Sequence, residues 1–498
     1  MQCRTIPQLL ADAAARDPDG AWIRADDSEL TFSAASEAVG SRAAALRGHG
    51  VQRGDLVALT SRTTPSYLLT WLAITALGAI AVPMNPASSA AEFAGLLGQT
   101  RAKVVISDDA LRPSFDRQAT TIDVDDLAGE PGTLPTDEAT AEDVACLIPT
   151  SGTTGRSKLV AQTHRAYVMA GEGFPYWMEL TSADRLMTSL PLFHINAQAY
   201  SALGSLACGA GLVLLPRFSA SGFLDAARRH GATEFNAIGA MLEILMRQPL
   251  RADDADNPLR LCYTGPAPER ERQLRIEARF GIRIVVGYAM SESPYGLIWP
   301  RGSRPFGTLG TIRQHPVLGV VNEARVVDDD GHDADTGELL LRNPAVTPGY
   351  WGMPEETAAA IAADGWLRTG DIVTRDAEGV FTFVSRKKDV LRRRGENLSP
   401  LEVEEAVASH PSVLDCAVVG VPSDLSEDEI KAFVVTTGPA DFTALRRWAA
   451  ERLAPFKVPR YWQQMEALPR TPTQRVAKHQ LPAGHPADEY DAEQGATP

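Results

Sequence analysis

Positions 150–158 read Thr-Ser-Gly-Thr-Thr-Gly-Arg-Ser-Lys, a run of hydroxyls and glycines closed by a lysine. Glycine admits the dihedrals of a tight backbone nest, so N–H groups along Thr150, Ser151, Gly152, Thr153, Thr154 and Gly155 can turn inward. The hydroxyls and Lys158 would then complete a cradle for phosphate oxygens. The spacing is not G-x-x-x-x-G-K-[ST], because Lys158 stands three residues after Gly155. At this level a second reading stays open, a flexible Ser/Thr/Gly surface turn. Positive charge also concentrates at Arg386, Lys387, Lys388, Arg392, Arg393 and Arg394. That density reads either as a solvated face or as the site of a bound polyanion. In a chain of net charge −15 such tight clustering favours the polyanion.

A phosphate cradle needs a rigid strand to carry it, and the apolar run Val144 to Ile148 just upstream predicts one. With 498 residues the chain has room for two to four domains. Its apolar and charged fractions, 44% and 22%, are those of an ordinary soluble globular protein. The negative balance argues against nucleic acid or an anionic membrane as partner, so a polyanionic ligand must sit in a local pocket. The five cysteines, Cys3, Cys146, Cys208, Cys262 and Cys416, form no C-x-x-C pair. Their odd number and spacing argue against a disulfide framework or zinc site and fit a reducing cytoplasm. The N-terminus lacks an apolar core of signal type. The longest apolar run, Trp71 to Val82, is too short to span a bilayer.

Periodicity predicts helices around Ile6–Leu10, over Ala34–Leu46 and over Tyr67–Leu77, and strands at Leu56–Leu59, Ala79–Val82 and Lys103–Ser107. Such alternation argues for parallel sheets covered on both faces. Residues 108–142 read as an irregular excursion. Ile282–Val286, Gly337–Leu341 and Val380–Val384 read as strands, followed by a helix at Pro400–Ser409. Strands at Val413–Val421 and Ile430–Thr436 and a helix at Phe442–Leu453 come next. The expected fold is α/β, with a large N-terminal domain of parallel-rich sheets flanked by helices plus a β-rich subdomain. A small mobile C-terminal α+β lid domain completes it. Boundaries are expected at 1–387 for the large domain, 388–482 for the lid, and 483–498 for a flexible tail rich in Asp, Glu, Gly and Pro.

The segment 150–158 resembles the phosphate loop of the adenylate-forming superfamily of acyl-CoA synthetases, adenylation domains and firefly luciferase. The resemblance recurs in order to about Leu481. Gly287-Tyr288-Ala289-Met290-Ser291-Glu292 is similar to the family signature Gly-Tyr-Gly-x-Thr-Glu. It implies that Tyr288 stacks on adenine, Ser291 touches the α-phosphate and Glu292 ligates Mg²⁺. A lone Glu after Ser would otherwise read as a helix cap. Gly365-Trp366-Leu367-Arg368-Thr369-Gly370-Asp371 resembles the family's ribose clamp, with Asp371 accepting both vicinal hydroxyls. Ala267 and Pro268 fall where relatives lay Gly-Gly-Ala-Pro along adenine, although Pro266 replaces the second glycine. In Pro191-Leu192-Phe193-His194, the resemblance puts His194 on the acyl pocket. Amino-acid-activating relatives carry Asp there, so an α-amino acid is disfavoured. Asn236, Met241, Gly265, Gly287 and Met290 are further pocket candidates, with helix-start packing as the plainer reading for Asn236 and Met241.

The resemblance further implies that Arg386 contacts ribose and phosphate, that Lys388 is the hinge, and that Arg392, Arg393 and Gly395 face the thiol side. The family's Pro-x-Thr-x-x-Gly-Lys is altered here to Pro469-Arg470-Thr471-Pro472-Thr473-Gln474-Arg475. Arg475 keeps the charge but not the point-like ammonium. Either Arg475 does the work, or Lys478 reaches in, or adenylation is slowed or redirected. The implied catalytic set is Lys158, Glu292, Arg475 and Lys478. Implied cofactors are ATP, Mg²⁺ and CoA or a phosphopantetheine carrier.

The expected activity is ATP-dependent activation of a small or medium acyl or aryl acid with pyrophosphate release, then thioester formation. Carnitine/crotonobetaine-type and general acyl- or aryl-CoA ligases are the nearest pattern, from Gly395 to Ser399 and Glu429 to Val434. Four alternatives stay open: a stand-alone enzyme loading an acyl carrier protein, diazotase-like chemistry on nitrite and an aryl amine, a catalytically silent nucleotide-binding homologue, and an ATP-hydrolysing switch. Expected partners are a small-molecule acid and possibly a carrier protein, without nucleic acid or membrane, in a monomer or homodimer.

Overall fold

Short apolar runs become buried parallel strands in the computed structural model, which describes residues 4–26, 28–108, 120–150, 157–265, 267–387, 391–393, 396–422, 428–470, 476–482 and 489–492. The chain divides into two units. One comprises 1–325, 340–368 and 377–381, the other 326–339, 369–376 and 382–498.

The first unit carries two sheets among the described residues. A six-stranded sheet runs Thr120–Asp123, Val104–Ser107, Leu56–Thr60, Ile80–Pro83, Val144–Thr150, Lys158–Thr163. Its first five strands pair in parallel, with Val57 opposite both Ala81 and Val104. The last pair is antiparallel. Ile80–Pro83 and Val104–Ser107 are buried at every position, as strands covered on both faces must be. The region expected to be irregular thus contributes an edge strand, Thr120–Asp123. The pattern there is Thr-Thr-Ile-Asp, too short and polar to betray a strand without its partner.

A nine-stranded sheet runs Thr311–Ile312, Ser293–Ile298, Arg283–Met290, Leu261–Gly265, Glu234–Ile238, Arg185–Thr188, Gly211–Leu214, Ala21–Ala25, Ser28–Thr31. Its middle is parallel and its edges antiparallel. Helices are started by local chemistry: Thr5 and Gln8 form a reciprocal capping box before Ile6–Arg16, as do Ser89 and Glu92 before Ala90–Thr100. Thr64 caps Pro65–Ala76, where Pro65 fills a position whose N–H would be orphaned anyway. Around these helices lie the largest buried side chains of the unit, including Trp22, Trp71, Tyr67 and Tyr167.

Thr336–Arg342 and Leu367–Arg375 are the central strands of a four-stranded sheet flanked by Glu323–Val327 and Phe381–Arg386. In the second unit the hairpin Leu391–Arg393 and Glu396–Leu398 precedes the helix Pro400–Ala408. A further sheet runs Val413–Pro422, Asp428–Thr436, Tyr461–Gln464, Tyr490–Asp491. Its core holds Val403, Val407, Val418, Ile430, Val434 and Trp462.

The stretch 483–498 differs from the expected fraying at Tyr490–Asp491, which pairs antiparallel with Tyr461 and Trp462. Charge accounts for it: Glu489 meets the fully buried Lys431 at 2.5 Å, and Arg460 forks onto Asp491 at 2.9 and 3.0 Å. Residues that look like a solvated tail in composition are counter-ions in the fold. The hinge position Lys388 lies outside the described residues. No helix among the described residues is long and apolar enough to cross a membrane.

Candidate active site

The first unit gathers a cation, a phenol and a carboxylate from three distant parts of the chain. Val144–Thr150 and Lys158–Thr163 form an antiparallel pair in which Thr150 stands opposite Lys158. Ser151, Gly152, Thr153, Thr154 and Gly155, the heart of the expected phosphate cradle, lie between them and outside the described residues. The two ends are described: Thr150 Oγ1 donates to Lys158 O at 3.4 Å, and Gln99 Nε2 donates to Ser157 O at 3.2 Å.

Lys158 Nζ lies 4.5 Å from the centre of the Tyr350 ring. The same phenol donates to Glu292 Oε1 at 3.0 Å. Burial first, and the Glu292 charge second, push the Tyr350 hydroxyl well above the ordinary phenol value, so it stays a donor at any working pH. Tyr350 is held by its own segment. Tyr350 N–H donates to Thr357 Oγ1 at 2.9 Å, and Gly349 O accepts from Ala161 N–H at 3.0 Å. Gly349 has φ +143, and a Cβ there would stand 2.5 Å from Thr357 Cγ2, so only glycine fits.

Glu292 sits at the turn between Arg283–Met290 and Ser293–Ile298, where Met290 pairs with Ser293. It is therefore a hairpin-turn residue, and the helix-cap reading does not hold. Its backbone is gripped as well: Glu292 O accepts from Thr347 N–H at 2.7 Å, and Ser291 O accepts from Gln162 Nε2 at 2.6 Å. The lysine strand and the carboxylate turn are thereby fixed to one another by backbone and side chain alike.

Tyr288 follows Gly287 at the carboxyl end of its sheet strand, and its hydroxyl lies 3.9 Å from Met290 Sδ. Gly265 ends the neighbouring strand; a Cβ there would approach Gly287 O to 2.7 Å. The two glycines let the strand ends lie close, at the place where open α/β sheets bind ligands. Ala267 and Pro268 continue from Gly265 into the loop before Arg270–Phe280, and Pro266 lies outside the described residues.

Among the expected acid-pocket residues, Asn236 is tied to the segment that follows His194. Asn236 Nδ2 donates to Asn196 Oδ1 at 2.8 Å and to Ser201 Oγ at 3.2 Å. Asn196–Ala202 is a π-helical turn, a rare winding that often accompanies sites. The Phe193 and His194 rings, 4.4 Å apart, lead into it. Met241 is buried in the helix Gly239–Met246, inside the main core. Asn236 and Met241 are thus held by the protein itself, as the packing reading expects.

Within the second unit Asp371 is buried, 4% exposed, and Arg386 Nε lies 3.3 Å from its Oδ1. Thr369 Oγ1 accepts from Asp371 N–H at 3.1 Å while Gly370 turns at φ +71. The two residues expected to hold ribose are therefore side by side. Arg393 requires a correction. Expected to face a thiol substrate, it is instead buried, meets Glu429 at 2.7 Å and donates to Val458 O at 2.9 Å. A guanidinium matched this well inside the protein has no reason to turn outward. The Arg392 side chain, Gly395 and Arg475 lie outside what is described. Lys478 is described, with Nζ 2.7 Å from Glu404.

Residue-by-residue reading missed Tyr350, Gln162 and Thr347 as parts of this site. The run Pro348-Gly349-Tyr350-Trp351 stands out in the sequence, but nothing local says that its phenol meets Glu292. Among the described residues no group of three or more His, Cys, Asp or Glu side chains could cage a metal ion.

Residues 10–351 match the model of the AMP-binding enzyme family, and residues 402–475 that of the AMP-binding enzyme C-terminal domain. The chain is 31% identical over 475 residues to a crotonobetaine/carnitine–CoA ligase of Escherichia coli, covering 87% of this chain and 89% of that one. It is 31% identical over 505 residues to a sulfoacetate–CoA ligase of Cupriavidus necator, covering 96% and 97%. Among solved structures, O-succinylbenzoate coenzyme A synthetase from Bacillus subtilis, in complex with ATP and magnesium ion, superposes with TM-score 0.85 at 27% identity. It covers 95% of this chain and 98% of that one.

Proposed function

The chain belongs to the AMP-binding enzyme family, and from that premise we propose that it is an AMP-forming ligase joining a small or medium organic acid to the thiol of coenzyme A. In the first step a carboxylate oxygen attacks the α-phosphorus of ATP. The new O–P bond forms as the bridge to the β-phosphate breaks, and pyrophosphate leaves. In the second the thiol sulfur attacks the carbonyl carbon of the acyl-adenylate, the C–O bond breaks, AMP leaves, and the thiol proton passes to solvent. Neither step needs a protein nucleophile, so this chain's work is positioning and charge stabilisation.

The observation that carries the reading is the Lys158–Tyr350–Glu292 group. A cation for phosphate oxygens and a carboxylate for a hard metal ion are braced on one phenol, and the cation directly follows the Ser/Thr/Gly segment in the sequence. A magnesium ion bound there would neutralise phosphate charge. Glu292, with one oxygen braced by Tyr350, suits a site completed by phosphate and water oxygens better than an all-protein cage. Tyr288 supplies a ring for adenine, Ser291 a hydroxyl for the α-phosphate, and the Asp371–Arg386 pair a clamp for the ribose hydroxyls. The lid, residues 388–482, turns about Lys388 between the two steps. Arg475 neutralises the developing charge, with Lys478 as its substitute once released from Glu404. The free, mostly buried cysteines Cys146, Cys208, Cys262 and Cys416 suit a reducing cytoplasm.

The test is pyrophosphate and AMP release across a panel of acids with ATP and CoA, repeated with Arg475→Lys and Lys478→Ala. Acid-dependent pyrophosphate release with AMP as the nucleotide product is expected, and Lys478→Ala should cost little while Arg475 is present. Release of ADP, or no pyrophosphate with any acid, would overturn the assignment.

A further inference from the structure

Glu338 lies in the strand Thr336–Arg342, directly before Leu339, Leu340 and Leu341, and only 7% of it is exposed. A carboxylate beside leucines is costly to bury unless its oxygens are matched. Each oxygen of Glu338 has a donor. Oε1 accepts from Gly370 N–H at 3.1 Å, and Oε2 accepts from Lys387 Nζ at 3.3 Å. All three residues belong to the second unit.

The positions of the two donors give this carboxylate a use. Gly370 stands directly before Asp371, and Lys387 directly after Arg386, the two residues that meet at 3.3 Å. Gly370 has φ +71, so the chain turns in the left-handed region just before it presents Asp371. Glu338 holds that turn by its N–H. The next residue of the same strand acts with it: Leu339 O accepts from Thr369 Oγ1 at 2.7 Å, and Thr369 Oγ1 accepts in turn from Asp371 N–H at 3.1 Å. The backbone leading into Asp371 is therefore hung from Glu338 and Leu339 together. On the Arg386 side the anchor is a charge. Lys387 is half-exposed and has a second carboxylate in reach, Asp329 at 3.5 Å, but Asp329 stands almost wholly in solvent. An ion pair with an exposed partner is screened and contributes little, so the buried Glu338 sets where Lys387 lies.

We infer that Glu338 is a positioning residue for nucleotide recognition: it fixes Asp371 and Arg386 relative to one another, through Gly370 and Lys387, and touches no ligand itself. This rests on the reading of Asp371 and Arg386 as the ribose clamp and adds the residue that aligns it. A carboxylate that must accept from two vicinal hydroxyls tolerates little displacement, because hydrogen bonds weaken steeply away from their preferred angle. Glu338 therefore acts on recognition of the hydroxyls, and not on binding of the base or the phosphates.

The test is the Kd of ATP and of 2′,3′-dideoxy-ATP, each with Mg²⁺, measured by calorimetry on the full chain and its variants. The dideoxy nucleotide keeps the base and triphosphate but lacks both hydroxyls, so it reports everything except the clamp. The wild-type protein should favour ATP by about 100-fold or more, the scale of two hydrogen bonds to a charged acceptor. Glu338→Ala should bring that ratio to about 10 or less, with the dideoxy Kd changed by no more than about twofold. Glu338→Gln keeps an acceptor for Gly370 N–H and should fall between. Lys387→Met removes only the second contact and should also lower the ratio, whereas Asp329→Asn should leave it at the wild-type value. Should Glu338→Ala not fold, Glu338→Gln and Lys387→Met decide. A wild-type ratio in both, or equal weakening of both nucleotides in either, would overturn the inference and mark Glu338 as a packing element of the sheet. A fall with Asp329→Asn as large as with Lys387→Met would assign the anchor to the surface carboxylate and overturn it too. In each of these cases the clamp reading survives. If the wild-type protein binds the two nucleotides equally, the clamp reading itself fails and this inference falls with it.

Discussion

Tyr350→Phe removes one atom from the proposed nucleotide site and leaves nearly everything else in place. The lost hydroxyl donates to Glu292 Oε1 at 3.0 Å, while the ring that carries Lys158 at 4.5 Å stays. The side chain is only 9% exposed, so water cannot readily take over the bond. A hydrogen bond to a charged acceptor contributes about 1.5–3 kcal/mol. Expressed in the transition state for pyrophosphate release, that is a fall in kcat/KM of about 10- to 100-fold. A purely structural role for Tyr350 would lower stability without touching metal dependence. If the phenol orients Glu292, the Mg²⁺ concentration for half-maximal rate must rise in Tyr350→Phe. Tyr350→Ala should be worse again, since Lys158 loses the ring face as well, an interaction of about 0.5–2 kcal/mol. The assay is pyrophosphate release at a series of Mg²⁺ concentrations, with denaturant unfolding as the control for stability. Wild-type kinetics in Tyr350→Phe, with an unchanged Mg²⁺ profile, would refute the idea that Glu292 needs bracing.

Lys158→Ala and Glu292→Ala should each slow pyrophosphate release by about 100-fold or more, the scale of removing one preorganised charge-stabilising group; near-normal release in either, measured by coupled assay, would remove that residue from the mechanism. His164 is buried, its Nδ1 accepts from Ile6 N–H at 3.2 Å, and burial lowers its pKa to about 4. Its neutral form is the folded one, so its contribution is complete above about pH 6.5 and lost as the pH falls towards 4, about 3 kcal/mol in all. Denaturant midpoints of wild type and His164→Asn across that window should converge at low pH. Lys431→Met leaves Glu489 buried without its cation and should cost about 3–5 kcal/mol in unfolding free energy, with Lys431→Met/Glu489→Leu recovering most of it. Equal stability of the single and double variants in a thermal or urea melt would show that the pair is not the anchor of the C-terminal strand.

Much of the α/β alternation was legible because buried parallel strands must be short apolar runs: Ile80–Pro83 and Val104–Ser107 show their covering on both faces in residue type alone. Cap chemistry is equally local, with Thr5, Thr64 and Ser89 starting their helices, although periodicity alone did not reveal the helix after Ser89. The polar Thr120–Asp123 carries no such mark, because a strand paired on one side only needs few apolar residues. In the site, the motif around Tyr288 and Glu292 was readable as a stretch, but that Glu292 turns a hairpin depends on Met290 finding Ser293.

What residue order settled by itself was therefore much of the succession of strands and helices and the family its motifs place it in. Contacts between remote positions were decided only on folding. Tyr350 meets Glu292 across 58 residues, Lys431 finds Glu489 in a segment that reads as a loose tail, and Arg393 turns inward to Glu429. The packing of buried Arg313 against the Tyr200 and Tyr295 rings is of the same kind. Local periodicity reflects which face of an element is buried, whereas the partner of a buried charge is set by which elements the core brings together, and no single stretch of the chain encodes that.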